Sequence, residues 1–206
     1  MTDGRRAWLW DCIAQRAAAR DLPVSAADAC EVAVVVAAAN GGWLSVMSDP
    51  ARRALVHATT RQAAELDELE FTLGEGPGTD AFESGRPVLV ADLKAPGWEE
   101  RWPGFTESAA KTAAVFCFPL VMGAIRLGVL GLYRVMPGSL GPRALADVLE
   151  CTDTALRLLL DSRAETGGGT EPWTREGWAR DGWADDHARV YQATGMVSAQ
   201  CETGLE

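Results

Sequence analysis

The stretch "TAAVFCFPLVMGAIRLGVLGLYRV", residues 112–135, constrains the fold more than any other part of the chain. Two apolar runs rich in Val, Leu, Ile and Phe meet at Met122-Gly123. A two-residue turn between such runs reads as a β-hairpin. A second hairpin precedes it: "GWLSVM" (42–47) as a strand, Ser48-Asp49-Pro50 as the turn, and "RALVHATT" (53–60) as the returning strand. Within 112–135, alternation places Phe116 and Phe118 on one face of their strand and Cys117 on the other.

Helices surround these hairpins. Residues 5–19 read as an amphipathic helix broken at Leu22-Pro23. Ser25 is suited to cap the next helix, because its hydroxyl can accept from a free first-turn amide. The body "AADACEVAVVVAAAN" stops at Asn40-Gly41-Gly42. So rich in Ala and Val, it must lie against a sheet. "RQAAELDELE" (61–70) is a short helix with its acids mostly on one side. The glycines around Pro77 mark a tight turn that opens the helix "TDAFES". "PVLVADL" (87–93) is a short buried strand, and "GWEERWPGFTESAAK" gives loop, then helix. Leu140 to Arg163 spans about six helical turns, with Leu145, Val148, Leu149, Thr152, Leu156, Leu159 and Leu160 on its buried side. Hairpins flanked by helices, without regular βαβ alternation, predict an α+β fold: one antiparallel sheet with helices on its faces.

After Arg163 the composition changes. Residues 164–187 carry a glycine triplet and Trp173, Trp178 and Trp183, each five residues apart. Five residues advance a helix by about 500°, so the tryptophans cannot share one helical face. The segment reads as a linker whose tryptophans dock on a partner surface, or else as a kinked extension of the preceding helix. Residues 188–206 begin with helix-like spacing of Tyr191, Ala193, Met196 and Val197. The expected organisation is a domain over 1–163 with its core at 26–160, a linker over 164–187, and a short helix over 188–206.

Charge and missing motifs exclude several activities. The net charge is −10, and residues 166–206 hold seven acidic side chains against three arginines. Nucleic-acid binding rests on cations that meet phosphate, so neither part favours RNA or DNA. No apolar stretch reaches the roughly 18 residues of a membrane span, and no signal peptide is evident, which predicts a cytoplasmic protein. The five cysteines are scattered, and His57 and His187 give no metal-ligand spacing. "GEGPG" resembles a phosphate loop only superficially: Glu75 is negative, no cation is near, and the spacing is wrong. Asp49, Asp80 and Asp92 sit where turns favour aspartate. His57 reads as a packing or rim residue, and Cys117 as a small buried hydrophobe. No constellation supports an enzyme.

"FTLGEGPGTDAFESGRPVLVADL", "RWPGF" and "VFCFPLVMGAIRLGVLGLYR" resemble the GAF domain of actinobacterial GAF–ANTAR regulators, over about Ala26 to Leu160. The resemblance implies a central antiparallel sheet, helices on one side and a small-ligand pocket on the other. "HARVYQATGMVSAQ" resembles the first helix of the family's RNA-binding ANTAR module, whose two further helices are missing here; no RNA-binding role passes to these residues. Many relatives carry cysteine where this chain has Gly78, which removes any thiol sensing at that position.

The implied pocket has Phe82, Trp98, Trp102, Phe105, Phe116 and Phe118 as candidate lining. Such a lining suits a small apolar or aromatic ligand better than a cyclic nucleotide, and Arg101 is the only cation within that segment suited to an anion. No other cofactor is implied. The family resemblance and the long C-terminal helix predict a homodimer, with Leu149, Leu156, Leu159 and Trp173 at the interface and the first and last helices pairing. Three functions follow: a non-enzymatic sensory domain of a transcription regulator that binds a small molecule or partner protein, a ligand-free dimerisation or scaffold module, and an RNA-binding antiterminator, which the charge disfavours.

Overall fold

The structure, a computed structural model, describes residues 3–50, 52–109 and 111–165. The elements run α1 (Asp3–Ala19), α2 (Ala26–Val36), β1 (Gly41–Asp49), β2 (Arg52–Ala58), α3 (Arg61–Leu73), α4 (Pro77–Ser84), β3 (Val88–Val90), α5 (Trp98–Arg101), α6 (Pro103–Ser108), β4 (Ala114–Met122), β5 (Ile125–Arg134) and α7 (Pro142–Glu165). Ala164 and Glu165, predicted to open the linker, continue α7; the rest of the predicted linker, Trp173 and the short helix predicted over 188–206 lie outside the described residues.

The strands form one sheet in the order β2-β1-β5-β4-β3, and every neighbouring pair is antiparallel. This is the α+β architecture expected from the two hairpins. The β4–β5 hairpin supplies two of the three inner strands, which is why its sequence is apolar on both faces. β4 continues past its last partner on β3, Cys117 paired with Val88. That uncovered stretch carries Pro119, which cannot donate to a further strand.

Strand alternation sends side chains to two separate cores. Leu44, Val46, Phe116, Phe118, Leu130 and Leu132 pack toward α1, α2 and α7. Trp43, Met47, Val115, Cys117, Val129 and Tyr133 pack toward α3, α4 and α6. On the first side α1 buries Leu9, Ile13 and Ala17, spaced four apart, and ion pairs Arg5–Asp147 (2.5 Å) and Arg6–Glu150 (2.8 Å) tie it to α7. At the start of α2 the Ser25 amide and hydroxyl both donate to Asp28 Oδ2, at 2.9 and 2.7 Å.

Two local differences from the sequence reading have simple causes. The segment around "RWPGF" is two short helices, because the residue before a proline avoids helical geometry; Trp102 is non-helical (φ −137°, ψ 69°) between α5 and α6. β3 is only three residues long, since Asp92 already turns the chain by accepting from the Lys94 amide at 2.9 Å.

Candidate functional site

The face covered by α3, α4 and α6 departs from an ordinary apolar core. α3 begins at Thr60, whose hydroxyl accepts from the Ala63 amide (3.1 Å), and this fixes the helix rotation. Its inward residues are Ala63, Leu66, Asp67 and Glu70, so two apolar and two acidic side chains enter the protein together. Arg53, near the start of β2, meets them. Its Nη2 donates to Glu70 Oε2 at 2.9 Å and its Nη1 to the Asp67 carbonyl at 3.3 Å. Its Nε lies 3.1 Å from Asp67 Oδ1, yet the N–H is not directed at that oxygen. The three side chains are 0–5% exposed. The Ser45 hydroxyl of β1 donates to Asp67 Oδ1 at 2.6 Å.

Burial pushes both carboxyls above their usual range, against the pull of Arg53. Arg53 itself is raised: burial acts to lower it, and the two carboxylates outweigh that.

The glycine-rich turn is organised by the protein's own acids. Glu70 Oε1 accepts from the Gly78 amide in the first turn of α4 at 2.7 Å. A Cβ at position 78 would overlap the Glu70 carboxylate, so glycine here permits the close approach. Glu75 Oε1 accepts from the Gly104 and Phe105 amides (2.7 and 3.1 Å) and so caps α6 with a negative charge. Asp80 accepts from Arg101 Nε (2.6 Å) and Trp102 Nε1 (3.2 Å). The amide of Gly78 and the cation of Arg101 are therefore both engaged internally, and neither is free for a phosphate.

Of the six aromatic candidates, the structure brings four together on this face. Trp98 stacks on Trp102 with ring centres 5.0 Å apart, and Trp102 meets Phe105 edge-on at 6.4 Å. Phe82 belongs to the same cluster. Phe116 and Phe118 do not join them; they point through the opposite face toward α2 and α7. Even-numbered residues of β4 face one way and odd-numbered ones the other, so Val115 and Cys117 take the places the two phenylalanines were expected to hold. Cys117 is fully buried, and desolvation holds its thiol well above the ordinary value. Such a thiol is a packing group. Beside it in the sheet, Gly131 leaves room for the Trp43 indole, which a Cβ would overlap.

The expected interface residues also divide. Leu156 and Leu159 are buried within the protomer, because this side of α7 packs on α2 and β4. Little of either side chain is left exposed on the protomer surface. Leu149 is 41% exposed. A groove of about 320 Å³ runs between α1 and α7, lined by Arg6, Trp10, Glu150, Thr154, Arg157, Leu158 and Asp161. A smaller cleft of about 170 Å³ lies between α7 and β4, beside Phe118, Leu149 and Leu156. His57 sits at the rim, its Nε2 3.5 Å from Glu31 Oε1. Among the described residues no cluster of His, Cys, Asp or Glu could hold a metal ion.

The sequence reading missed Arg53, Asp67, Glu70 and Trp10. A signal existed for the first three: an arginine pair opening an otherwise apolar strand, and acids at 67 and 70 in phase with the apolar Ala63 and Leu66.

A GAF domain profile matches residues 19–149, well over half of the chain. The chain belongs to the GAF domain family. As a GAF domain it is similar to solved structures of the same fold. The GAF domain from an Acinetobacter phosphoenolpyruvate-protein phosphotransferase is 13% identical, with a TM-score of 0.59 over 81% of this chain and 99% of that one. The corresponding domain from Coxiella burnetii is 16% identical, with a TM-score of 0.56 over 78% and 98%. These identities carry the fold and nothing finer. No curated protein matches the chain. GAF domains are characteristically non-catalytic sensory modules of signalling proteins. No helix among the described residues is long and apolar enough to cross a membrane.

Proposed function

We propose that this GAF domain is the small-molecule-sensing part of a cytoplasmic transcription regulator of the GAF–ANTAR type. The proposed organisation is a sensory domain over 1–163, a linker over 164–187 and an ANTAR-like segment over 188–206. The observation that supports sensing is the character of the α3–α6 face. Short helices joined by glycine turns cover it, and Trp98, at its edge, is only half-buried. A ligand entering beside Trp98 meets Trp102, Phe105 and Phe82, with Arg53 and Arg101 already paired to carboxylates. That chemistry favours a small apolar or aromatic molecule over a phosphate. Native mass spectrometry of the protein purified from its own host tests this. A bound small molecule supports sensing, and a chain that is uniformly ligand-free from ligand-replete cells counts against it.

Output is proposed to pass through a homodimer formed along the α1–α7 groove. Trp10 is 47% exposed there beside Leu158, and Leu149 is exposed elsewhere on α7. Trp10→Glu should shift sedimentation from dimer to monomer while leaving the circular dichroism unchanged. A dimer that persists places the interface elsewhere.

One observation favours a second reading, a ligand-free dimerisation or scaffold module. The aromatics of the α3–α6 face already stack on one another, and the cleft beside Phe118 is smaller than the roughly 300 Å³ of a typical ligand site.

A further inference from the structure

The buried cluster under the sheet is unbalanced in charge. Arg53 brings one positive charge, while Asp67 and Glu70 bring two carboxyls, all three almost wholly excluded from water. With both carboxyls ionised the cluster would hold one uncompensated negative charge in the core, a state that low-dielectric surroundings strongly disfavour. One proton settles the imbalance, and the hydrogen bonds decide where it sits.

Glu70 receives an N–H donor on each oxygen, Arg53 Nη2 on Oε2 and the Gly78 amide on Oε1. Neither donor can become an acceptor, so a protonated Glu70 would have no partner for its O–H in this arrangement. Asp67 is bonded instead to the Ser45 hydroxyl, which can donate or accept with equal ease. Arg53 Nε, the other group close to Asp67, does not direct its N–H at the carboxyl oxygen. Asp67 can therefore take a proton by reversing the Ser45 hydroxyl, giving up its ion pair with Arg53 Nε but no directed N–H hydrogen bond, whereas Glu70 would lose one.

We infer that Asp67 is the protonated member of this cluster at neutral pH, and that losing its proton weakens the hold of Glu70 on the first turn of α4. The coupling runs through Arg53: a charged Asp67 competes with Glu70 for the single guanidinium. The groups facing this centre are Ser45 from β1, Arg53 from β2, Glu70 from α3 itself, the Gly78 amide from α4 and the Cys117 thiol from β4, with Asp80 of α4 acting electrostatically on Cys117. Burial displaces Asp67 and Glu70 upward alike, and the hydrogen bonds choose between them. A native carboxyl raised above its unfolded value binds protons that the unfolded chain has released. Stability is therefore full below the ordinary aspartate range and falls as pH rises through the native value. The device depends on charge and hydrogen bonding within the fold, whether or not a ligand binds beside it.

Side-chain carboxyl 13C NMR of the full chain tests the assignment. The Asp67 resonance should hold its protonated position at pH 7 and move only at higher pH, while Glu70 is ionised at pH 7 and takes up its proton at a lower pH than Asp67. The Gly78 amide proton should shift with the same midpoint as Asp67. In Glu70→Gln the charge count changes, and Asp67 should appear ionised at pH 7. In Asp67→Asn the Gly78 step should vanish, and the denaturation midpoint should no longer fall across that pH window. An ionised Asp67 in the wild-type chain at pH 7, or a proton found on Glu70, overturns the inference. So does a Gly78 step that survives in Asp67→Asn. Because the first readout uses the wild-type chain, the result does not depend on either variant folding.

Discussion

Toward α2 and α7 the sheet presents Leu44, Val46, Phe116, Phe118, Leu130 and Leu132, and it is met by Ala29, Cys30, Ala33, Val148 and Leu159. Toward α3 and α4 its side chains share the interior with Ser45, Arg53, Asp67 and Glu70, and the backbone approaches closely at Gly78 and Gly131. Where the first face of the sheet meets α2 and α7 it is held by area removed from water, which is non-directional, and its ion pairs, such as Arg5–Asp147, lie farther out between α1 and α7. The second is held partly by directed hydrogen bonds to buried charge, which demand one arrangement and respond to protons. One sheet thus carries a general-purpose core on one side and a conditional one on the other.

The comparison can be broken by mutation. Phe118→Ala on the apolar face should cost about 3–5 kcal/mol, the usual range for emptying a buried aromatic site. Its urea midpoint should fall equally at all pH values, with the wild-type pH slope preserved. A changed slope would mean that the two faces are not independent. Glu70→Gln on the other face should cost less, about 1.5–3 kcal/mol, as hydrogen bonds to a charged group are lost. It should also alter the pH slope. An unaltered slope would remove the distinction drawn between the faces. Gly131→Ala sharpens the contrast at smaller cost, about 1–3 kcal/mol, because the new methyl must displace the Trp43 ring. Tryptophan fluorescence should change with it. If the emission stays that of the wild-type chain, Trp43 is not locked over β5.

Much of the fold was legible beforehand. The hairpin turn at Gly123, the cap at Ser25 and the length of α7 follow from local periodicity and turn chemistry, which act within a few residues. The site was legible only in part. Alternation along β4 separated Phe116 and Phe118 from Cys117, but periodicity does not say which face of a sheet a given helix will cover. Leu156 and Leu159 read equally well as core or interface, since burial against the protomer or against a second copy leaves the same sequence pattern. Asp67 and Glu70 belong to a helix whose sequence shows only that its acids lie mostly on one side. Arg53, seventeen residues before Glu70, changes their meaning, and that pairing exists only once β2 and α3 are packed.

The sequence by itself determined the elements, their order and the antiparallel α+β class, because these rest on backbone geometry and the spacing of apolar residues. Tertiary structure alone decided that Glu70 and Arg53 share the space beside Gly78, that the aromatics divide between two cores, and that a groove opens between α1 and α7. The physical reason is range. Turns, caps and periodicity act between neighbours in the chain, whereas desolvation and ion pairing depend on which distant residues exclude the water.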